Sequence, residues 1–143
     1  MMEIKKILLP FDNSVHSTNA AHYALHLARL MGAQVTIINC YEWDVGLIEV
    51  PSPLMKDIES ISKKKAEDIL KTAGEIFEDR GVEYTLQTIF GSPGRILLEH
   101  SKSKEYDLII MGSHGHSDIA GLFIGSVTHK VLNTIYCPVL VIP

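Results

Sequence analysis

The chain has 143 residues, a length typical of one domain, and 46% of them are hydrophobic, which is enough for a proper core. Its formal charge of −4 at pH 7 disfavours a broad surface for nucleic acid or for an acidic membrane, because either would need a basic face. Its two cysteines, Cys40 and Cys137, do not make a secreted disulfide framework.

The first part of the chain predicts a strand, a helix and a second strand. The apolar strand Ile4–Leu9 follows the first residues directly, so we expect no signal peptide. Either Asn13 or Ser14 is placed to cap a helix that runs to about Met31. The β-branched stretch Gln34–Tyr41 predicts the second strand. No apolar run approaches the ~20 residues of a membrane helix, so we expect a cytoplasmic protein.

The middle of the chain predicts a loop, a long helix and a third strand. Residues Glu42 to Pro53 contain one glycine and two prolines and are typical of a loop. Apolar residues at helical spacing predict a helix from about Leu54 to Arg80, with Gly81 as its stop. The third strand is predicted at Val82–Ile89.

The last part of the chain predicts two helices and two strands. Ser92 and Pro93 indicate a helix start, because serine caps helices and proline fits the first turn. The elements are that helix to about Ser103, a strand at Asp107–Met111, a helix from Gly125 or Ser126, and a strand at Pro138–Ile142.

This alternation predicts the α/β class: one domain over residues 1–143, with a doubly wound parallel five-stranded sheet of order 3-2-1-4-5 and helices on both faces. In that order strands 1 and 4 are neighbours, and the chain reverses direction across the sheet between them. Ligands of such sheets bind outside the carboxyl ends of the strands at this point. We therefore expect the functional site at Pro10–Asp12 and in the segment that begins at Gly112.

The segment after the fourth strand has the composition of a phosphate-binding loop. Gly112–Gly115 is separated by nine residues from Gly125–Thr128. Its glycines allow the backbone to approach a ligand closely, and the helix start offers free N–H groups to an anion. The hydroxyls of Ser126 and Thr128 are predicted as further donors. A structural loop with turn glycines is the alternative.

Charge adds a requirement for a metal ion. No lysine or arginine occurs from Met111 to Thr128. Because ATP carries about four negative charges, we predict Mg²⁺ or Mn²⁺ bound mainly through the phosphates. Asp12 is available for the metal, for ribose hydroxyls or for capping the first helix. His114, His116 and His129 would add positive charge as the pH falls; the last of these lies just beyond the loop.

With these residues the sequence resembles the universal stress protein family. The ATP-binding members of that family carry Gly-x2-Gly-x9-Gly followed by Ser or Thr, a spacing found here at Gly112, Gly115, Gly125 and Ser126. The opening stretch Lys5–Ser14 and the closing stretch Cys137–Ile142 also look like the first and last strands of the family.

The resemblance implies a homodimer that forms through the last strand, Val139 to Ile142, and an ATP site. It implies that Asp12 and Cys40 lie near the base and ribose. His116 stands where relatives often have Lys or Arg, and Cys40 where a small aliphatic residue is common. The predicted nucleotide-binding residues are Pro10, Asp12, Cys40, Met111, Gly112, Gly115, Gly125, Ser126, Val127 and Thr128.

Three functions remain open at this stage. The first is an ATP-binding stress-response or regulatory protein with little intrinsic catalysis, which acts on an unknown regulatory partner. It is favoured because the loop has no evident general base or arginine finger. The alternative is a slow ATPase, or a phosphoryl- or adenylyl-transfer enzyme that needs a partner. The third is a scaffold whose cleft is empty or binds another ligand.

Overall fold

Five parallel strands form the sheet on which the chain is built. The computed structural model describes residues 2–43, 49–116, 125–133 and 136–143. The strand order is β3-β2-β1-β4-β5, which confirms the predicted topology. The strands are β1 Lys6–Pro10, β2 Gln34–Tyr41, β3 Tyr84–Phe90, β4 Leu108–Gly112 and β5 Val139–Ile142.

Helices cover both faces of this sheet. The first two helices pack on one face around β1 and β2, and the last two pack on the other face, each pair with its own buried apolar cluster. No helix in the described ranges is both long enough and apolar enough to span a membrane. The helices are α1 Val15–Met31, α2 Ser52–Phe77, α3 Pro93–Lys102 and α4 Ser126–Asn133.

The start of α1 is set by local polar contacts. Of the two predicted caps, Ser14 is the one used: its Oγ accepts a hydrogen bond from Ser17 N at 3.2 Å. Asn13 instead adopts a left-handed backbone with φ of 63°. Gly32 ends the helix in the left-handed conformation. These contacts fix the first turn of α1 beside the carboxyl end of the sheet.

The bounds of α2 differ from the prediction at both ends. The helix begins at Ser52 rather than Leu54, because Pro53 lies in the first turn, where its missing N–H costs nothing. It ends at Phe77 rather than Arg80, because the backbone leaves the helical conformation at Glu78, with φ of −59° and ψ of 131°, and Asp79 follows in a left-handed conformation. The other elements agree with their predicted bounds to within two residues.

Alanines form the face of α1 that packs on the sheet. Ala20, Ala21, Ala24 and Ala28 are all at most 1% exposed and belong to the core cluster on this face. Side chains this small leave little distance between the helix and β1 or β4. The first turn of α1 is therefore held directly against the end of β4.

Candidate functional site

The two loops singled out by the topology meet. The amide of His116 donates to Asp12 Oδ2 at 3.0 Å, which joins the loop after β4 to the loop after β1 across 104 positions of sequence. β1 and β4 pair in parallel, so both loops leave the same edge of the sheet. The chain therefore forms a cleft where β1 and β4 separate, as expected for a doubly wound sheet.

This cleft is open to solvent and has a cavity volume of about 120 Å³. One end is apolar, because Ile38, Leu97 and Met111 belong to one packed cluster. The other end is polar and contains Asp12 together with main-chain groups of Gly112 and Gly115. These two glycines begin the segment between β4 and α4, which we call the glycine loop. The lining residues are Pro10, Phe11, Asp12, Ser17, Ile38, Asn39, Cys40, Pro93, Leu97, Met111, Gly112, His114, Gly115, Val127 and Thr128.

Asp12 acts as a clamp between the two loops. Its Oδ1 accepts from Ser14 N at 3.0 Å, and its Oδ2 accepts from His116 N. Burial raises the pKa of the Asp12 carboxyl, but hydrogen bonds from Ser14, His116 and Ser17 outweigh it, and the pKa lies below the ordinary value. Asp12 is therefore an anion, with each oxygen already engaged by the backbone. Because Ser14 caps the helix, the predicted capping role of Asp12 is wrong, whereas its roles toward ribose hydroxyls and a metal ion stay predictions.

Cys40 presents main-chain groups to the cleft. In the parallel ladder Pro10 pairs with Ile38, and Ile38 O accepts from Phe11 N at 2.9 Å. Alternate residues of a strand bond to the same neighbour, so the N–H and C=O of Cys40 point the same way as those of Ile38. β1 ends at Pro10, so it does not extend to the position that would pair with Cys40. A donor and an acceptor thus lie side by side at the apolar end of the cleft.

The Cys40 side chain is a neutral, packed thiol. It lies against the apolar cluster beneath the cleft. Burial raises the pKa of the thiol to about 12, against a smaller lowering by the charge of Arg95. The side chain therefore behaves as a small hydrophobe at neutral pH.

Gly112 at the end of β4 and Thr128 in α4 have structural roles that the sequence did not reveal. A Cβ on Gly112 would lie 2.8 Å from His16 Cβ and 2.9 Å from Ser17 N, so this glycine is required by the first turn of α1. The hydroxyl of Thr128 donates to Gly112 O at 2.9 Å and is buried. Thr128 therefore lines the cleft without the free hydroxyl donor that was predicted for it.

Two histidines and a serine form a cluster at the polar end. Ser113 Oγ lies 2.9 Å from His114 Nδ1 and 3.4 Å from His16 Nδ1. The two imidazole ring centroids are 5.2 Å apart. His16 comes from α1 and was not predicted as a site residue, because only the tertiary packing of α1 against β4 brings it to this loop.

The ten predicted nucleotide-binding residues fall into two groups. Eight of the ten line the cleft, and the two that do not are Gly125 and Ser126. Gly125 N donates to Ser113 O at 2.7 Å, which closes the glycine loop on itself, and Ser126 is the first residue of α4. Among the described residues, no group of three His, Cys, Asp or Glu side chains is arranged to hold a metal ion.

Sequence reasoning missed the wall contributed by α3. Pro93 and Leu97 line the apolar end of the cleft. The predicted site lay at the ends of β1 and β4, whereas this wall comes from a helix start that follows β3. The signal that could have found it is Pro93, since the first turn of a helix after a parallel strand also faces the carboxyl edge of the sheet. Arg95 is exposed and pairs with Glu99 at 2.9 Å, and it does not line the cleft.

Comparison with known proteins identifies close sequence relatives. A family model described as the universal stress protein family matches residues 3–143. Universal stress protein YxiE of Bacillus subtilis strain 168 is 34% identical over 146 aligned residues, which cover 96% of this chain and 97% of that protein. Universal stress protein MJ0531 of Methanocaldococcus jannaschii is 31% identical over 140 residues, which cover 96% of this chain and 81% of that protein.

Solved structures share the fold over the whole chain. The universal stress protein UspA from Lactobacillus plantarum superposes with a TM-score of 0.84 at 22% identity, covering 100% of both chains. A universal stress protein in complex with cAMP gives a TM-score of 0.72 at 23% identity and covers 99% of each chain. The universal stress protein from Archaeoglobus fulgidus in complex with dAMP gives 0.67 at 19% identity and covers 100% of each. At these identities the likeness establishes the fold.

Proposed function

Because the chain belongs to the universal stress protein family, we propose that its cleft binds an adenine nucleotide and that the protein acts in a stress response as a nucleotide-dependent regulator. The observation that carries this proposal is that an apolar slot with a paired donor and acceptor faces an amide-rich loop across one cleft. The cAMP and dAMP of the two solved complexes both contain adenine, which supports the same ligand class.

The base is assigned to the apolar end. Adenine offers an amino donor beside a ring-nitrogen acceptor, which matches the C=O and N–H that Cys40 directs into the cleft. Ile38, Leu97 and Met111 supply apolar surface for the flat ring. Because guanine carries an oxygen where adenine has its amino group, the C=O of Cys40 would face another acceptor, and adenine is preferred.

The phosphates are assigned to the polar end. Main-chain N–H groups at the start of α4 and the small residues of the glycine loop supply uncharged donors there. The Asp12 carboxylate adds a negative charge, so a triphosphate requires neutralisation. We propose that ATP binds with Mg²⁺ or Mn²⁺ held mainly by its own phosphates, since both oxygens of Asp12 already accept backbone N–H groups.

Isothermal titration with ATP and Mg²⁺ tests this proposal. A Val127→Asp variant places a carboxylate in the first turn of α4, where it favours the helix but repels phosphate, and it should weaken binding at least roughly tenfold. Leu54→Asp is the matched control, because Leu54 is exposed in the first turn of α2 outside the cleft, and binding should not change. An absence of both heat and thermal shift with ATP, ADP, AMP and cAMP would remove the proposal.

We place binding, rather than turnover, at the centre of this function. The only carboxylate among the described lining residues is Asp12, and its hydrogen bonds to two amides suit a clamp better than a general base. When purified protein is incubated with ATP for about an hour, it should therefore release less than about one equivalent of phosphate. Multiple turnovers that Asp12→Ala abolishes while ATP binding is retained would favour the enzyme instead.

A further inference from the structure

The strand β3 forms the edge of the sheet opposite to β5 and carries none of the features that usually block an edge. Sheet edges are protected by lysine, proline, bulges or short strands, because unpaired main-chain groups recruit other strands. β3 spans seven residues, Tyr84–Phe90, none of them charged or proline. Its pairing with β2 is continuous over the whole strand, without a bulge. The β3 edge, by which we mean the outer side of this strand, is therefore long and regular.

Alternate residues of β3 direct their main-chain groups away from the sheet. At one end of the strand, Val35 N donates to Glu83 O at 3.0 Å. At the other end, Gly91 N donates to Tyr41 O at 2.8 Å, so the odd-numbered residues bond inward to β2. The even-numbered residues point outward, and within the described part of the chain none of their main-chain N–H or C=O groups has a partner. These residues are Tyr84, Leu86, Thr88 and Phe90.

An apolar ledge runs along the β3 edge on the side of α2. Leu86 and Phe90 are 40% and 52% exposed. The ring of Phe90 lies against that of Trp43, with centroids 4.2 Å apart. Leu86 lies beside Gly74 of α2, where a Cβ would come within 3.4 Å of the Leu86 Cδ1. The exposed side chains on the opposite side of the strand are polar, namely those of Thr85 and Gln87. A strand added here would meet apolar side chains on one side and polar ones on the other.

The connection that leads into β3 carries surplus negative charge. It contains three exposed carboxylates, against the guanidinium of Arg80 and that of Arg29, whose side chain donates to Arg80 O. None of the three forms an ion pair with the residues that the structure describes. They belong to Glu78, Asp79 and Glu83. A basic residue at this end of an added strand would be attracted, whereas a second copy of the chain would bring the same acidic connection and an uncharged β3.

We propose that the β3 edge docks an extended segment of a partner protein, which adds to the sheet as a further strand. Another extended backbone presents donors and acceptors at the spacing of about 7 Å that alternate residues of a strand require. The segment has about seven residues, with apolar side chains at every second position and a basic residue at the end beside Glu83. No residue of β3, all of which the structure describes, lines the cleft, so this docking stands apart from the nucleotide proposal.

Two synthetic peptides test this inference. In each, four valines alternate with three threonines and a lysine follows, so that antiparallel pairing places the lysine opposite Glu83. The valines then stand opposite the outward residues, and their amides face β3. One peptide is N-methylated on the valines, which replaces the donors that face β3 by methyl groups. The other is N-methylated on the threonines, which removes only donors on its outer side. The two peptides otherwise have the same sequence.

Amide hydrogen exchange of the wild-type protein, followed by NMR without nucleotide, reports the added bonds. In the free protein the amides of Leu86 and Thr88 should exchange quickly and that of Gln87 slowly, because of these three only Gln87 donates to β2. The threonine-methylated peptide at about 1 mM should slow exchange at Leu86 and Thr88 roughly fivefold or more, because each amide gains an acceptor. The valine-methylated peptide should leave both rates unchanged.

Two variants at one position provide a control in the protein itself. Thr88→Pro removes one outward N–H without removing a bond to β2, and it should remove most of the slowing at Leu86. Thr88→Val keeps that N–H and should behave as the wild type. If Thr88→Pro does not fold, the comparison of the two peptides on the wild-type protein still decides the question.

Other outcomes would overturn the inference. Equal slowing by the two peptides would mean that side chains, rather than main-chain bonds, hold the peptide. An absence of slowing with either peptide would mean that the edge does not accept a strand. Slowing at Val139 and Val141 alone would place the site at the β5 edge. Slow exchange at Leu86 that appears without peptide as the protein is concentrated would identify a second copy as the occupant. None of these results decides whether a nucleotide binds in the cleft, which the titration with ATP tests separately.

Discussion

At the scale of single residues, Asp12 joins the two loops that form the polar end of the cleft. Its two oxygens accept hydrogen bonds from Ser14 N and His116 N. These bonds hold the first turn of α1 and the glycine loop next to each other. Each bond joins a charged acceptor to an amide, the stronger class of hydrogen bond. The clamp thus fixes the polar end of the cleft before any ligand arrives.

Replacement of Asp12 by asparagine should lower the free energy of unfolding by roughly 1–3 kcal/mol at pH 7. The pKa of Asp12 is depressed in the folded state, so its contribution is present above the ordinary value of 3.8 and is lost as the pH falls through the lower folded value. Urea denaturation of both proteins from pH 7 to pH 3 should show the difference shrinking at the acid end.

The exposed Asp57 gives the control for this comparison. Asp57→Asn changes an exposed carboxylate of α2 and should alter stability by less than about 0.5 kcal/mol. A difference between wild type and Asp12→Asn that stays constant down to pH 3 would contradict the clamp.

Cys40 should react slowly with alkylating agents, although it lines the cleft. A thiol whose pKa is about 12 has a thiolate fraction at pH 8 roughly three orders of magnitude below that of a thiol with the ordinary value of 9.0. Iodoacetamide labelling read by peptide mass spectrometry should therefore be slow in the folded protein and fast in urea, and MgATP should slow it further. Labelling of the folded protein at the unfolded rate would contradict this account.

Single residues also show which features of the site could not be predicted from the sequence. Glycine spacing located the loop, because flexible backbone and helix starts follow from residue type alone. The actual tasks of Gly112 and Thr128 did not follow, since both depend on partners from other elements, α1 for the glycine and the end of β4 for the threonine. His16 was not predicted as a site residue for the same reason.

At the scale of elements, α1 packs closely against the end of β4 beside the site. Gly112→Ala adds a methyl group 2.8 Å from the His16 backbone, so the first turn of α1 must move, and we expect a loss of roughly 1–3 kcal/mol in stability together with weaker nucleotide binding. Gly74→Ala is the matched control. Its Cβ would lie 3.4 Å from Leu86 Cδ1, an ordinary contact, and alanine favours the helix by up to about 1 kcal/mol.

Thermal and urea unfolding of the two alanine variants measures this contrast. The expected order of stability is Gly74→Ala at or above wild type, and Gly112→Ala clearly below it. If both variants lost the same amount, the close approach of α1 to β4 would not be the cause.

Element types were predictable because each helix and strand follows its own periodicity, whereas element ends depend on a few turn residues. The start of α2 was missed because Pro53 was interpreted as loop, although proline is compatible with a first turn. Its end was missed because nothing in Glu78 or Asp79 alone dictates the non-helical backbone that both residues adopt. Neither error moved the cleft, which is set by strand ends.

At the scale of the whole molecule, the sheet order alone located the cleft. The connections that follow the neighbouring parallel strands β1 and β4 run to opposite sides of the sheet, and this leaves a gap at the carboxyl edge. The same order leaves β5 at an edge of the sheet. Its four residues, Val139 to Ile142, are all apolar, and an unpaired apolar edge favours association. We propose that two copies of the chain pair through this edge.

The ladder between β4 and β5 distinguishes the residues that would pair outward. Ile109 N donates to Pro138 O and Ser113 N donates to Ile142 O, so alternate residues of β5, Leu140 among them, bond inward to β4. The N–H groups of Val139 and Val141 therefore point away from the sheet. Proline at position 141 removes one outward donor without touching an inward bond.

Val141→Pro should give a folded monomer, and Leu140→Pro should lose stability by roughly 3 kcal/mol or more, because it removes a ladder bond to β4. Sedimentation together with circular dichroism separates the two effects. The wild-type protein should sediment as a dimer at micromolar concentration, and Val141→Pro should show a native spectrum with half that mass. Leu140→Pro should show a weakened fold. A Val141→Pro protein that remains a dimer would place the interface elsewhere. A wild-type protein that is monomeric across the same concentrations would mean that the apolar edge stays unpaired between copies.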